Sequence, residues 1–125
     1  MPIQRPLSRT WAMEPGVVLL EGRIDIGAGG AVQTTSRSPG VTVTRTAAGA
    51  YTFTLDDGVA PRGIVGLVDL MIAAANPSLF ARWTSRTSSV LTLLVETGLG
   101  VDTDPPSGSE IHYLLIVGNS SVSVP

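Results

Sequence analysis

The chain has no cysteine, no lysine, one histidine and only 5% aromatic residues in 125. Each shortage removes a class of chemistry. Without cysteine there are no disulfides, no thiolate metal sites and no thiol nucleophile, so the fold rests on packing, alone or with association to other chains. Charged residues make up 14%, against roughly a quarter in an ordinary soluble domain. With a positive mean hydropathy, so low a charge density implies that much of the surface contacts other protein. Every basic residue is an arginine: Arg5, Arg9, Arg23, Arg37, Arg45, Arg62, Arg82 and Arg86. They are scattered among acids and the net charge is −2, so no basic stripe is available for nucleic acid. Arginine suits ordered ion pairs at interfaces because its planar fork is preorganised, although a bias in base composition would produce the same preference.

Long apolar runs are lacking too. The longest, Leu70 to Ala81, is interrupted by Asn76-Pro77 and falls well short of the ~20 residues that span a bilayer. The start of the chain shows no basic-then-apolar leader pattern. A soluble protein of one domain is expected.

What is present is strand patterning. Val41 to Asp56, VTVTRTAAGAYTFTLD, reads as a β-hairpin. Val41 and Val43 alternate with Thr42, Thr44 and Thr46; Tyr51, Phe53 and Leu55 alternate with Thr52, Thr54 and Asp56. A period of two puts each apolar set on one face, and the Ala47-Ala48-Gly49-Ala50 connection suits a hairpin loop. Val17 to Ile26 alternates likewise, with Val18, Leu20, Ile24 and Ile26 opposite Glu21, Arg23 and Asp25. A turn at residues 27–30 and a short strand near Ala31–Thr35 precede the hairpin.

Ile64 to Ala75, an almost unbroken apolar run, suits either a buried strand or a short helix; its glycines and β-branched residues favour a strand. Strands follow at Leu79–Ser85 and Ser89–Glu96. Residues 98–110, rich in polar, Pro and Gly residues, read as an exposed loop of the length that is usually functional or mobile. The closing strand is Ile111–Val117, with Ile111, Tyr113, Leu115 and Val117 inward. The expected architecture is all-β: about eight strands in an antiparallel, jelly-roll-like β-sandwich over residues 17–125. Residues 1–16, with Pro2, Pro6 and Pro15, form an extended N-terminal arm. Its Ile3, Leu7, Trp11 and Met13 need a partner, either their own domain or a neighbouring subunit.

Groups for catalysis are scarce. His112 occupies a strand position opposite the face of Tyr113 and reads as a surface or interface residue. No serine has a nucleophile-elbow context. Asp102-Thr103-Asp104 offers two carboxylates, but no further one at calcium-loop spacing. Asp56-Asp57 is turn chemistry, and 27–30 lacks the pattern of a phosphate loop. Asn119-Ser120-Ser121 matches a glycosylation sequon, which carries little meaning without a secretion signal. Asp69 sits within an apolar run and, if buried, needs a partner. Trp11 and Trp83 fit a core or an interface better than a sugar platform. No cofactor, metal or catalytic residue is expected, and an enzyme is the most distant reading.

Taken together, Gly30-Ala31-Val32, the Val41–Thr46 and Gly49–Leu55 strands, the Ile111–Val117 strand and Asn119-Ser120-Ser121-Val122 resemble a small β module of tailed-phage and prophage virion proteins. Many of those are head decoration, cement or minor structural proteins. The resemblance covers roughly residues 17–122, departs at Gly118 and in the Pro-rich arm, and brings no catalytic residues. It implies a protein made in the host cytoplasm that binds the major capsid protein on the outside of the virion, in many copies, as a dimer or trimer. The contact residues expected for that role are Arg5, Arg9 and Trp11 of the arm and Asp102 and Asp104 of the long loop. A head-fibre or tail component is a near alternative, and a carbohydrate-binding module a more distant one.

Overall fold

The computed structural model describes residues 17–56, 63–73 and 78–118. Seven strands occur among them: β1 (Val17–Asp25), β2 (Val41–Ala47), β3 (Ala50–Leu55), β4 (Gly63–Met71), β5 (Leu79–Thr87), β6 (Val90–Thr97) and β7 (Glu110–Gly118). They form two antiparallel sheets, one of three strands in the order β1-β7-β4 and one of four in the order β2-β3-β6-β5. The expected arm, with Arg5, Arg9 and Trp11, lies outside the described residues, as do Asp57, Asn76-Pro77 and Asn119-Ser120-Ser121.

The period-two pattern determines which side of each sheet is dry. In β3, Tyr51, Phe53 and Leu55 are buried; in β6, Leu91, Leu93 and Val95; in β7, Ile111, Tyr113, Leu115 and Val117. With Ile24, Ile26 and Val41 these side chains form one core between the two sheets. Phe53 lies at its centre. Its ring meets Trp83 of β5 and Tyr113 of β7 edge-on, each at a centroid distance of 5.0 Å. Such contacts add roughly 0.5–1.5 kcal/mol each beyond the area they bury, and the one to Tyr113 ties the two sheets together.

The hairpin forms as its sequence predicts, in register Val41↔Leu55, Val43↔Phe53 and Arg45↔Tyr51, with an irregularity between Arg45 and Ala47. Its turn is tighter than the four-residue connection expected. Ala47 pairs with Ala50, and Gly49 takes a φ of 69°, a left-handed conformation that glycine adopts without steric cost.

Three expectations need correction. The segment Ala31–Thr35 is not a strand: it forms one isolated bridge, Val32 to Ile26, and meets β1 through single hydrogen bonds, the Gln33 N–H donating to the Asp25 carbonyl at 2.9 Å and the Thr35 hydroxyl to Asp25 Oδ2 at 2.7 Å. Its backbone turns at 34–35, and the Asp25 N–H donates to Ser36 Oγ at 2.8 Å in place of a ladder partner. The described strands therefore number seven, not eight. The run from Ile64 is a strand, but not one buried on both faces. It is the edge of the three-stranded sheet, with Ile64, Gly66, Val68 and Leu70 inward and Val65, Leu67, Asp69 and Met71 exposed. The 98–110 loop is folded onto the domain rather than standing away from it, as described next.

Candidate interaction surfaces

The long loop returns along β6. Thr97 N–H donates to the Val101 carbonyl at 2.9 Å, and Thr103 N–H donates to the Val95 carbonyl at 2.9 Å. Pro105 and Ser109 are fully buried. Ser109 Oγ accepts from Ala73 N–H at 3.0 Å, and its carbonyl accepts from Ile26 N–H at 2.9 Å. Asp104 points inward to Arg45 on the hairpin, and only 22% of its side chain is exposed. The Arg45 hydrogen bonds, then the Gly49 N–H, hold its carboxyl below the usual carboxylate range. What protrudes from the loop is its tip, with Leu99 at 94% exposure and Val101 at 58%, beside the exposed Phe80 of β5.

Asp102 and Asp104 therefore occupy different situations. Asp102 is exposed and bridges β6 at Glu96; Asp104 is engaged within the domain. They do not converge as a cation site, and no group of three or more metal-ligating side chains occurs among the described residues. The pairing of Asp104 with Arg45 spans 59 residues, so no local motif announces it.

The outer faces of the two sheets differ in chemistry. That of the four-stranded sheet is a field of threonines, with Thr42 opposite Thr54, Thr44 opposite Thr52, and Thr52 opposite Thr92. The Thr44 and Thr52 hydroxyls meet at 2.6 Å. Arg82 donates to Glu96 through Nε at 2.8 Å and Nη2 at 3.3 Å, which holds the Glu96 pKa down. This face is suited to water.

The three-stranded sheet presents the opposite. Leu19, Val65, Leu67 and Met71 are 47–56% exposed, and Leu114 and Ile116 of the central strand lie half-buried between them. The antiparallel register sets these residues in rows: Leu19–Ile116–Val65, Glu21–Leu114–Leu67 and Arg23–His112–Asp69. An open hollow of about 430 Å³ runs over Glu21, Leu67, Asp69, His112 and Leu114. Beyond it the face turns polar. His112 Nε2 lies 2.8 Å from Glu110, and Asp25 is held below its ordinary pKa by the Thr35 hydroxyl and then by Arg23. Asp69 lies on the exposed side, so it needs no buried partner.

The signal for this face was in the sequence. The alternate residues of β4 and β7 are apolar on both sides, a pattern that also describes a strand covered on both faces.

Trp83 belongs to the core. Its Nε1 is buried with no hydrogen-bond partner, and its indole packs over Gly66, where an added Cβ would lie 2.5 Å from Nε1. No helix among the described residues is long and apolar enough to cross a membrane. Comparison with known proteins gives no assignment: no family model, curated protein sequence or solved structure matches the chain.

Proposed function

We propose that this protein is a non-catalytic structural component that decorates an assembled phage capsid, binding the major capsid protein at the outer shell surface. The observation that carries this reading is the apolar surface left exposed among the described residues, the outer face of the β1-β7-β4 sheet together with the loop tip at Leu99 and Val101, set against a threonine-covered face on the other sheet. A domain whose exposed chemistry is an apolar sheet and a protruding loop tip is suited to contact protein. The resemblance of the hairpin and closing strand to the virion module names which protein. In this reading the sandwich is a reduced jelly-roll-like module, residues 1–16 are a docking arm contributing Arg5, Arg9 and Trp11, and Asp102 lies on the contacting loop. Asp104 serves the site indirectly by fixing that loop.

Decoration requires no chemistry beyond binding. A copy that binds only the assembled shell stabilises it by mass action, and a copy or oligomer that bridges two capsomers gains further through effective concentration. The carbohydrate-module alternative loses support because Trp83 is taken up by the core.

Co-sedimentation tests the reading. Purified protein is mixed with assembled capsids lacking it, with unassembled capsid subunits and with a glycan panel. Saturable, stoichiometric binding to capsids alone is expected. Binding to glycans, or to no capsid from any host that carries this gene, would overturn it.

A further inference from the structure

We propose that the outer face of the three-stranded sheet is a self-association surface, on which two copies pack face to face about a two-fold axis running along β7. This rests on the geometry of the face and not on the capsid reading: a dimer in solution is measured without shells, and one that closes this face leaves the loop tip, with Leu99 and Val101, and the exposed Phe80 to meet the shell.

The argument begins with the rows. A two-fold axis along the central strand lays β1 of one copy over β4 of the other and keeps each row in register. Arg23 and Asp69 flank His112 in one row, so the operation sets Arg23 of each copy against the partner's Asp69, twice. The same operation sets Leu19 over the partner's Val65, and Asp25, already paired with Arg23, over the partner's Met71. It seats Leu114, Ile116 and His112 on their own counterparts at the axis, and Glu110 on its own counterpart, each Glu110 lying 2.8 Å from the His112 of its own copy. Arg23 commits Nε and Nη2 to Asp25 and Thr35, which leaves Nη1 for a further acceptor. Glu21 comes over Leu67, but it lies on an edge strand and its carboxylate is turned to Arg37 at 2.6 Å, so its stem rather than its charge covers the leucine.

The competing axis, across the strands and centred on the Leu114 row, fails on charge. It would lay Arg23 over the partner's Leu19 and Asp69 over Val65, so that neither charge meets an opposite one across the interface. Of the two, the axis along β7 is the one that sets Arg23 against the partner's Asp69, and a second copy of this chain supplies both halves of each pair.

Size sets the strength. Three strands of nine residues, at about 3.3 Å per residue and about 4.8 Å between strands, give a face of about 400 Å² per copy, hence about 800 Å² in total. That lies below the ~1,600 Å² of a standard interface, so the dimer is a weak one, with a Kd in the micromolar range or above.

The test uses the full chain in sedimentation equilibrium from about 1 µM to about 1 mM. A reversible monomer–dimer equilibrium is expected. Asp69→Arg, an exposed site, should weaken it at least about tenfold by opposing two arginines, and Arg23→Glu with Asp69→Arg should restore it. Because the chain has no cysteine, single cysteines report geometry cleanly. Leu114→Cys should cross-link to itself through a bis-maleimide matched to the ~10 Å between packed sheets, and Thr44→Cys on the opposite face should not. A monomer at every concentration overturns the proposal, and so would a segment of the same chain occupying the face. A dimer indifferent to Asp69→Arg, a charge swap that fails to restore it, or cross-linking at Thr44→Cys alone overturns it as well.

Discussion

Arg45 of the hairpin grips Asp104 of the long loop with two parallel hydrogen bonds, Nε to Oδ1 at 2.9 Å and Nη2 to Oδ2 at 2.7 Å. The carboxylate also accepts the Gly49 N–H at 2.8 Å, so one side chain ties together the hairpin turn and the loop. Around this clasp Tyr51 donates its hydroxyl to the Gly30 carbonyl at 2.7 Å, and a Cβ at Gly30 would overlap the Asp104 carboxyl.

Replacing Asp104 with Ala should therefore act on the loop first. Charge-assisted bonds to a part-buried carboxylate are worth about 1.5–3 kcal/mol where a partner is left unpaired. The expected loss of stability is about 2 kcal/mol by urea denaturation. Hydrogen exchange should accelerate at Gly49 and Thr103 while protection at Leu93 is kept. Equal acceleration at Leu93 would mean that the clasp is part of the global fold rather than a local lock.

Acid should release the same clasp. Asp104 is held below the usual carboxylate pKa by Arg45, Asp25 by Thr35 and then Arg23, and Glu96 by Arg82. A depressed carboxylate stabilises the fold at every pH above its unfolded pKa, near 4, and the contribution fades as pH falls through the folded value. Stability should be flat from about pH 8 to about pH 5 and decline below about pH 4. In Asp104→Asn the decline should be shallower. A wild-type curve that is already falling at neutral pH would contradict this assignment.

Two glycines with the same backbone sign should respond differently to alanine. Gly49 and Gly100 have φ of 69° and 81°, and a side chain costs about 1–2 kcal/mol in that region. A Cβ at Gly100 meets nothing within 4 Å, whereas at Gly49 it lies 2.5 Å from the Val95 carbonyl oxygen and 2.7 Å from the Thr103 nitrogen. Gly100→Ala should cost about 1 kcal/mol. Gly49→Ala should cost at least about twice that, because backbone must move. Equal thermal shifts for the two would show that the loop yields at no cost.

These residues also show where the sequence was legible. The hairpin and the closing strand could be read because each apolar set recurs every second residue and faces the same core. Ala31–Thr35 misled because Val32 alone supplies its apolar character, and one bridge to Ile26 satisfies it. The loop misled for a different reason. Its prolines, glycines and aspartates are those of a solvated turn, and what pins it are Arg45 and Gly49, more than fifty residues earlier. The site was half legible. The scarcity of charge pointed to apolar side chains at the surface, which the structure shows, but the faces of β4 could be told apart only once it was known to be an edge strand, and Arg23 and Asp69 share a row only through β7.

Gly66 and Trp83 give the sharpest test of packing between the sheets. Gly66 faces inward on β4, and the indole of Trp83 on β5 occupies the space where its side chain would be, 2.5 Å from an added Cβ. Gly66→Ala should therefore displace the ring from its edge-on contact with Phe53 and cost about 1–3 kcal/mol as an overpacked site. Trp83→Phe shortens the side chain at that point. It also removes an indole N–H that is buried without a partner, and such a group costs about 1–3 kcal/mol to bury. Removing that N–H opposes the packing lost by shortening the side chain, so Trp83→Phe alone should be mild for a core aromatic. In that background Gly66→Ala should become nearly neutral, giving a coupling of about 1 kcal/mol or more between the two positions. Additive costs in a double-mutant cycle read by chemical denaturation would show that the indole does not rest on Gly66 in solution.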